Sequence, residues 1–196
     1  MRRGTRPRVN EDQASLLRTL TRVSGALDDA GVRYALSGGC AVFARGGPET
    51  DHDVDIILRH DDVPAAVRAL TAAGMRAVDP PEDWLTKVYD GDRLVDLLFR
   101  PNERPVTDET LARAEPLRVG STQVAVQSAT DILIDKLLVL GPHRGDLNEP
   151  MAVARALREQ IDWDEVAAET KSSAYAEAFL VLARRMEVSP SQEAMT

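Results

Sequence analysis

Cysteine, long apolar runs and net positive charge are what this chain lacks. Its single cysteine in 196 residues, Cys40, excludes an internal disulfide and any multi-cysteine zinc site. That thiol lies in a glycine turn and reads as a small buried filler rather than as a reactive group. No apolar stretch approaches the roughly 18 residues of a membrane span, so no membrane partner is expected. The basic opening of the chain is followed by no apolar signal core, and a cytoplasmic location is expected. Internal repeats and low-complexity segments are also missing. The formal net charge of −8 argues against broad, non-specific binding of nucleic acid. Residues 1–10 run against that balance, with four arginines and no acid. They are expected to form a flexible basic arm, which could also touch a phosphate backbone.

Hydrophobic content of 43% and charged content of 29% are those of a soluble globular protein, long enough for one large domain or two small ones. Leu16, Leu17, Leu20, Val23 and Leu27 fall at helical spacing within residues 11–30, and Gly31 ends that helix. Residues 32–36 read as a strand, 40–45 as a short helix and 53–58 as a second strand. Asp61 or Asp62 can cap a helix with Val63, Val67 and Leu70 inward and Gly74 as its stop. A short strand over 75–78 and a hairpin, 87–89 with 93–99 around Gly91, follow. From Ser128 the character changes. Ser128 caps a helix with Asp131 in its first turn, and further helices are expected over about 147–160, 163–170 and 172–187. The pattern is α+β: a mixed α/β half, 11–127, followed by a helical half, 128–190.

Chemistry concentrates in two stretches. Ser37-Gly38-Gly39 lies between an apolar run and a helix-like run, and Asp53-Val54-Asp55 opens the next apolar run. Strand side chains alternate, so Asp53 and Asp55 share a face while Val54, Ile56 and Leu58 take the other. Two neighbouring carboxylates repel unless a cation sits between them, and Mg²⁺ is bound by one or two carboxylates plus substrate phosphates. A glycine pair at a helix start lets backbone N–H groups approach a phosphate. These parts suggest a metal–nucleotide site; the alternative for the two aspartates is a solvated strand start. Asp96 interrupts an otherwise apolar strand, so it should be paired, hydrogen-bonded, metal-bound or on a wet sheet face. Lys136 lies in the apolar stripe of the helix after Ser128, flanked by Asp131 and Asp135. It either snorkels out of the core or points into a cleft. Arg45 and Arg144 could bind phosphate bidentately or be ordinary surface arginines, Trp84 could stack on a base or simply pack, and Trp163 is expected in the core.

The set Gly38-Gly39, Asp53-x-Asp55 and a later strand carboxylate, Asp96, resembles the nucleotidyltransferase fold of the DNA polymerase β superfamily. The resemblance implies that Ser37, Gly38 and Gly39 hold nucleotide phosphates. It implies that Asp53, Asp55 and Asp96 bind one or two Mg²⁺ ions, with Asp96 helping to activate the attacking hydroxyl. Lys136, His143-Arg144, Asp146-Leu147-x-Glu149 and Ile161-Asp162-Trp163 resemble the helical half of AbiEii/MenT-type toxins of bacterial toxin–antitoxin pairs. That likeness implies transfer of NMP, from a pyrimidine NTP, to the 3′ end of tRNA with release of pyrophosphate, which blocks translation. It also implies a cognate antitoxin as partner. Lys136, with Arg144, would contact the triphosphate, and Asp146 would complete the site by orienting Arg144 or Lys136. Many relatives carry Ser or Thr where this chain has Asp51. Ser37 and Thr50 are the nearby hydroxyls that an antitoxin could phosphorylate. The Asp51-His52-Asp53-x-Asp55 wording also resembles aminoglycoside and lincosamide nucleotidyltransferases, so a small-molecule acceptor is the alternative.

Overall fold

A computed structural model of the chain describes residues 11–50 and 53–190; the basic arm, Asp51 and His52 lie outside the described residues. The first helix, α1 (Glu11–Asp29), buries Leu16, Leu20, Val23 and Leu27, the stripe its spacing calls for. Gly31, at φ 65°, supplies the left-handed residue that ends it, and the Val32 amide closes back on the Leu27 carbonyl at 3.0 Å. Gly25 sits on the exposed face of α1, and a β-carbon there would meet nothing within 4 Å. Gly25→Ala therefore recovers helix propensity without a clash. It is expected to stabilise the protein by about 0.5–1 kcal/mol, read as a higher midpoint in thermal melting.

The seven strands are β1 (Tyr34–Leu36), β2 (Val54–Leu58), β3 (Arg76–Val78), β4 (Leu85–Asp90), β5 (Arg93–Leu98), β6 (Glu115–Val119) and β7 (Thr122–Val126). They form one sheet in the order β3-β4-β5-β2-β1-β7-β6. Only β2 with β5 and β1 with β7 run parallel, so the sheet is mixed and the class is α+β, as expected. The remaining helices are α2 (Gly38–Ala44), α3 (Val63–Ala72), α4 (Asp108–Ala112), α5 (Ala129–Leu138), α6 (Asn148–Leu157), α7 (Trp163–Glu169) and α8 (Ala174–Arg185). One buried cluster holds residues from α1 through to Val188, on both sides of residue 127. No described helix is long and apolar enough to cross a membrane.

Three elements escape the sequence reading: α4, β6 and β7. Their signals are short. Thr107 and Thr110 form a reciprocal capping box at α4. Gly120, at φ 61°, turns β6 into β7, whose Val124 and Val126 alternate inward. They matter because α4 covers one face of the central strands, where Leu111 and Val106 pack on Ala35 and Ile57. Asp62 stands at the expected cap of α3 but makes no capping bond, because Arg59 claims its carboxylate at 2.9 and 3.2 Å. Trp163 packs against the core from its edge and donates its indole N–H to the Arg158 carbonyl.

Candidate active site

The turn after β1 is built around the absence of side chains. The Ser37 amide donates to the Asp55 carbonyl at 2.9 Å, which ties the turn to β2. Gly38 has φ 56°, and a β-carbon on it would lie 1.8 Å from Asp55 Oδ2. A β-carbon on Gly39 would lie 2.7 Å from Thr50 Oγ1. Only glycine permits that approach. Cys40 is buried just beyond, its thiol 3.6 Å from the Asp53 carbonyl. Burial first, then the Asp55 charge, pushes that thiol up to about 12, so it is a filler and not a nucleophile.

The strand aspartates meet through pairing. β2 and β5 run parallel in the register Asp55↔Asp96, which sets the two carboxylates side by side. Val54, Ile56 and Leu58 are fully buried on the opposite face, as the alternation requires. Asp53 is exposed at the mouth of β2. Asp96 Oδ1 is buried with no hydrogen-bond partner. Burial pushes the Asp55 carboxyl up to about 7, reinforced by Asp96 and Asp53 and opposed by Lys136. Burial also raises Asp96, to about 6, with Lys87 opposing and Asp53 and Glu82 adding to the rise. Among the described residues no three His, Cys, Asp or Glu side chains gather into a preformed metal cage. A Mg²⁺ site needs only one or two protein carboxylates when phosphates complete it, and an unpartnered buried carboxylate oxygen beside a second carboxylate suits a cation.

Helix α5 supplies the opposite wall. Ser128 caps it, accepting from the Asp131 amide at 3.0 Å, and Arg113 grips the buried Asp131 carboxylate with two bonds. Lys136 does not snorkel away. It is mostly buried, lines the cleft and pairs with Glu149 of α6 at 2.5 Å. Glu149 is the acid paired with this lysine; Asp146 accepts the Asn148 amide at the entry to α6 and lines a small pocket beside Lys136 and Arg144. Arg144 reaches the same cleft. Arg45 does not, and the sequence reading of it as a phosphate binder is corrected. Its guanidinium is buried and spent on the Gln127 and Val126 carbonyls, Glu115 and Gln160.

The cleft has two lobes, each of about 430 Å³, and Gly38, Asp55, Lys136 and Arg144 border both. One lobe is lined by Gly39, Thr50, Asp53 and Glu149. The other is lined by Trp84, Asp96, Arg100, Asn102 and Asp135, so Trp84 faces a cavity rather than only packing. Asn102 and Gln127 are site-lining residues that sequence reasoning did not single out. Asn102 has φ 55°, unusual for a non-glycine residue, and its side chain donates to Asp135. Burial pushes the Asp135 carboxyl up, against hydrogen bonds from Gln127 and Asn102 and the charge of Arg104. No local signal marks Gln127, whose importance comes from the pairing of β7 with β1.

Comparison with known proteins agrees with this fold. The antibiotic-resistance factor ANT(2'')-Ia, in solution, superposes with a TM-score of 0.54 at 17% identity, over 89% of this chain and 94% of that one. The same factor in complex with adenylyl-2''-tobramycin gives a TM-score of 0.53 at 18% identity, over 88% of this chain and 99% of that one. An antigenic nucleotidyltransferase-like protein from Paracoccidioides brasiliensis gives a TM-score of 0.53 at 18% identity, over 92% of this chain and 96% of that one. These likenesses are of fold. No match is found among curated proteins. A family model described as uncharacterised nucleotidyltransferase matches residues 3–190, almost the whole chain, and the chain belongs to that nucleotidyltransferase family.

Proposed function

We propose that this protein transfers a nucleoside monophosphate from an NTP to an acceptor hydroxyl, releasing pyrophosphate. The observation that carries this reading is the in-register pair Asp55 and Asp96, one oxygen buried and unpartnered, beneath a turn that admits only glycine. Asp53, Asp55 and Asp96 would hold one or two Mg²⁺ ions, whose chemistry is to neutralise charge along an in-line phosphoryl displacement. The Ser37-Gly38-Gly39 backbone receives the phosphates, and Lys136 and Arg144 offset their charge. Asp96, beside Asp55 on the paired strand, accepts the proton of the attacking hydroxyl. The hydroxyl oxygen then bonds to the α-phosphorus as the bond to the β-phosphate oxygen breaks.

The acceptor we propose is the 3′ end of tRNA, as in AbiEii/MenT-type toxins acting on translation until a cognate antitoxin intervenes. Support comes from the likeness of Lys136, His143-Arg144 and Ile161-Asp162-Trp163, and from the four arginines of residues 1–10. A second reading, a small-molecule acceptor, is favoured by one observation. The lobe that holds Asp96 also presents Asp135 and Glu103, and the chain carries −8 overall, a poor match to a polyanion.

The test is incorporation of label from each α-labelled NTP, with Mg²⁺, into total RNA and into a panel of aminoglycosides and lincosamides. Label in tRNA-sized RNA supports the first reading, and label in a small molecule supports the second. No transfer to any acceptor, or transfer undiminished by EDTA, sinks the proposal. Lys136→Met is expected to raise KM for the NTP about tenfold with a smaller change in kcat, a loss of about 1.4 kcal/mol of binding. An unchanged KM would make Lys136 purely structural.

A further inference from the structure

Ser37 stands where a helix-capping serine stands, yet it does not cap. Its backbone, at φ −127° and ψ −170°, is that of an N-cap, but its side chain makes no capping bond to α2. The hydroxyl donates instead to Gln127 Oε1 at 2.6 Å. Rotation about a single bond, χ1, would carry it to the Gly39 and Cys40 amides that a serine in this position ordinarily takes.

What holds the hydroxyl away is a chain of two side chains, the buried Gln127 and the half-buried Asp135. A charged carboxylate only accepts hydrogen bonds. Asp135 Oδ2 accepts from Gln127 Nε2 at 2.7 Å, and its Oδ1 accepts from Asn102 Nδ2 at 3.3 Å. With its nitrogen turned to Asp135, Gln127 turns its oxygen to Ser37. That oxygen can only accept, so the shared proton belongs to Ser37. Gln127 is fixed in turn, its backbone N–H donating to the Leu36 carbonyl at 2.9 Å and its backbone carbonyl accepting from Arg45 Nε at 2.6 Å. Ser37 and Gln127 are 6% and 4% exposed, so each offers water only a narrow approach from the cleft.

We propose that Gln127 and Asp135 are positioning residues for the donor nucleotide: they hold the Ser37 hydroxyl off the Gly38-Gly39 turn, so that its amides stay open to phosphate. This rests on the reading of that turn as the phosphate-holding element. Neither residue touches the nucleotide. Both act through the direction of one hydroxyl, and a hydroxyl released from Gln127 competes with phosphate for the same amides.

The experiment compares wild type, Gln127→Met and the double variant Ser37→Ala/Gln127→Met at pH 8. ATP, GTP, CTP and UTP are titrated in turn with Mg²⁺ and no acceptor, and exchange of the Gly39 and Cys40 amide protons is followed by NMR. Gln127→Met is expected to weaken binding of the preferred NTP about fivefold and to slow amide exchange. Removing the hydroxyl in the double variant is expected to recover most of both effects, which a merely structural role of Gln127 would not do. If Gln127→Met fails to fold, Asp135→Asn replaces it. That substitution leaves the Gln127 amide free to flip, and the same recovery by Ser37→Ala is expected. Equal NTP binding and exchange in all variants, or a double variant no better than the single, overturns the proposal. Absence of NTP binding in wild type sinks the nucleotidyl-transfer reading, while the amide exchange still decides the relay.

Discussion

Asp55→Asn is expected to abolish transfer, by about 10³-fold or more, and at the same time to stabilise the metal-free protein at pH 8. The two effects have one cause. Asp55 is held beside Asp96 and near Asp53 in a largely buried position, and its carboxyl is pushed from 3.8 up to about 7. Between those values the folded state keeps a proton that the unfolded state has released. Stability therefore falls as pH rises through that window, because the folded state binds more protons. Above pH 7 the native protein carries a carboxylate it does not accommodate well, and asparagine relieves this. The expected gain is about 1–3 kcal/mol, discounted from the full shift for solvent reaching the cleft. Thermal melting in EDTA checks it: the curves of wild type and variant should converge toward pH 4, draw apart as pH rises toward 7 and keep that gap above it. Added Mg²⁺ should raise the melting point of wild type far more than that of Asp55→Asn. A variant less stable than wild type at pH 8 would mean that Lys136 compensates Asp55 more than burial penalises it.

Gly38→Ala is expected to damage both fold and function. Two costs combine: the left-handed backbone at φ 56°, and a β-carbon 1.8 Å from Asp55 Oδ2. Together they should destabilise by about 2–4 kcal/mol and cut transfer at least about 100-fold. Gly91→Ala separates the terms. It has φ 64° but nothing within 4 Å of the added carbon, so it should lose only the backbone part, about 1 kcal/mol. The difference between the two variants measures how tightly the turn is pressed on Asp55. Gly38→Ala/Asp55→Ala should regain much of the stability, since the clashing carboxylate is gone, and none of the activity. If Gly38→Ala melts like Gly91→Ala, the close contact with Asp55 is not what excludes a side chain there.

Part of this site was legible along the chain. The glycine pair, the alternating Asp53 and Asp55, and the lone acid Asp96 in an apolar strand are local patterns, and local patterns report the period and face of an element. The stripe Leu16, Leu20, Val23, Leu27 declared α1 in the same way. Ser128 announced the start of α5. The five-residue helix α4 and the strands β6 (EPLRV) and β7 (TQVAV) went unread because a proline and polar residues break the apolar pattern of β6 and only two large apolar residues mark β7.

Neighbours across the fold are another matter. Side-chain alternation assigns Asp96 to a face, but only the parallel pairing of β2 and β5 puts it opposite Asp55. Lys136 was visible as a charge in an apolar stripe. Its partner Glu149 is set by how α6 packs on α5. Arg45 looked like a phosphate ligand until β7 and Glu115 were seen to consume it. Gln127 carries no signal at all, and its place between Ser37 and Asp135 exists only because β1 and β7 lie side by side. Residue types at local spacing were enough to suggest a metal–nucleotide site and, through their resemblance, the nucleotidyltransferase family to which the chain belongs. Which charges share a cleft was settled by the folded chain, because pairing and packing join residues far apart in sequence that no local period relates.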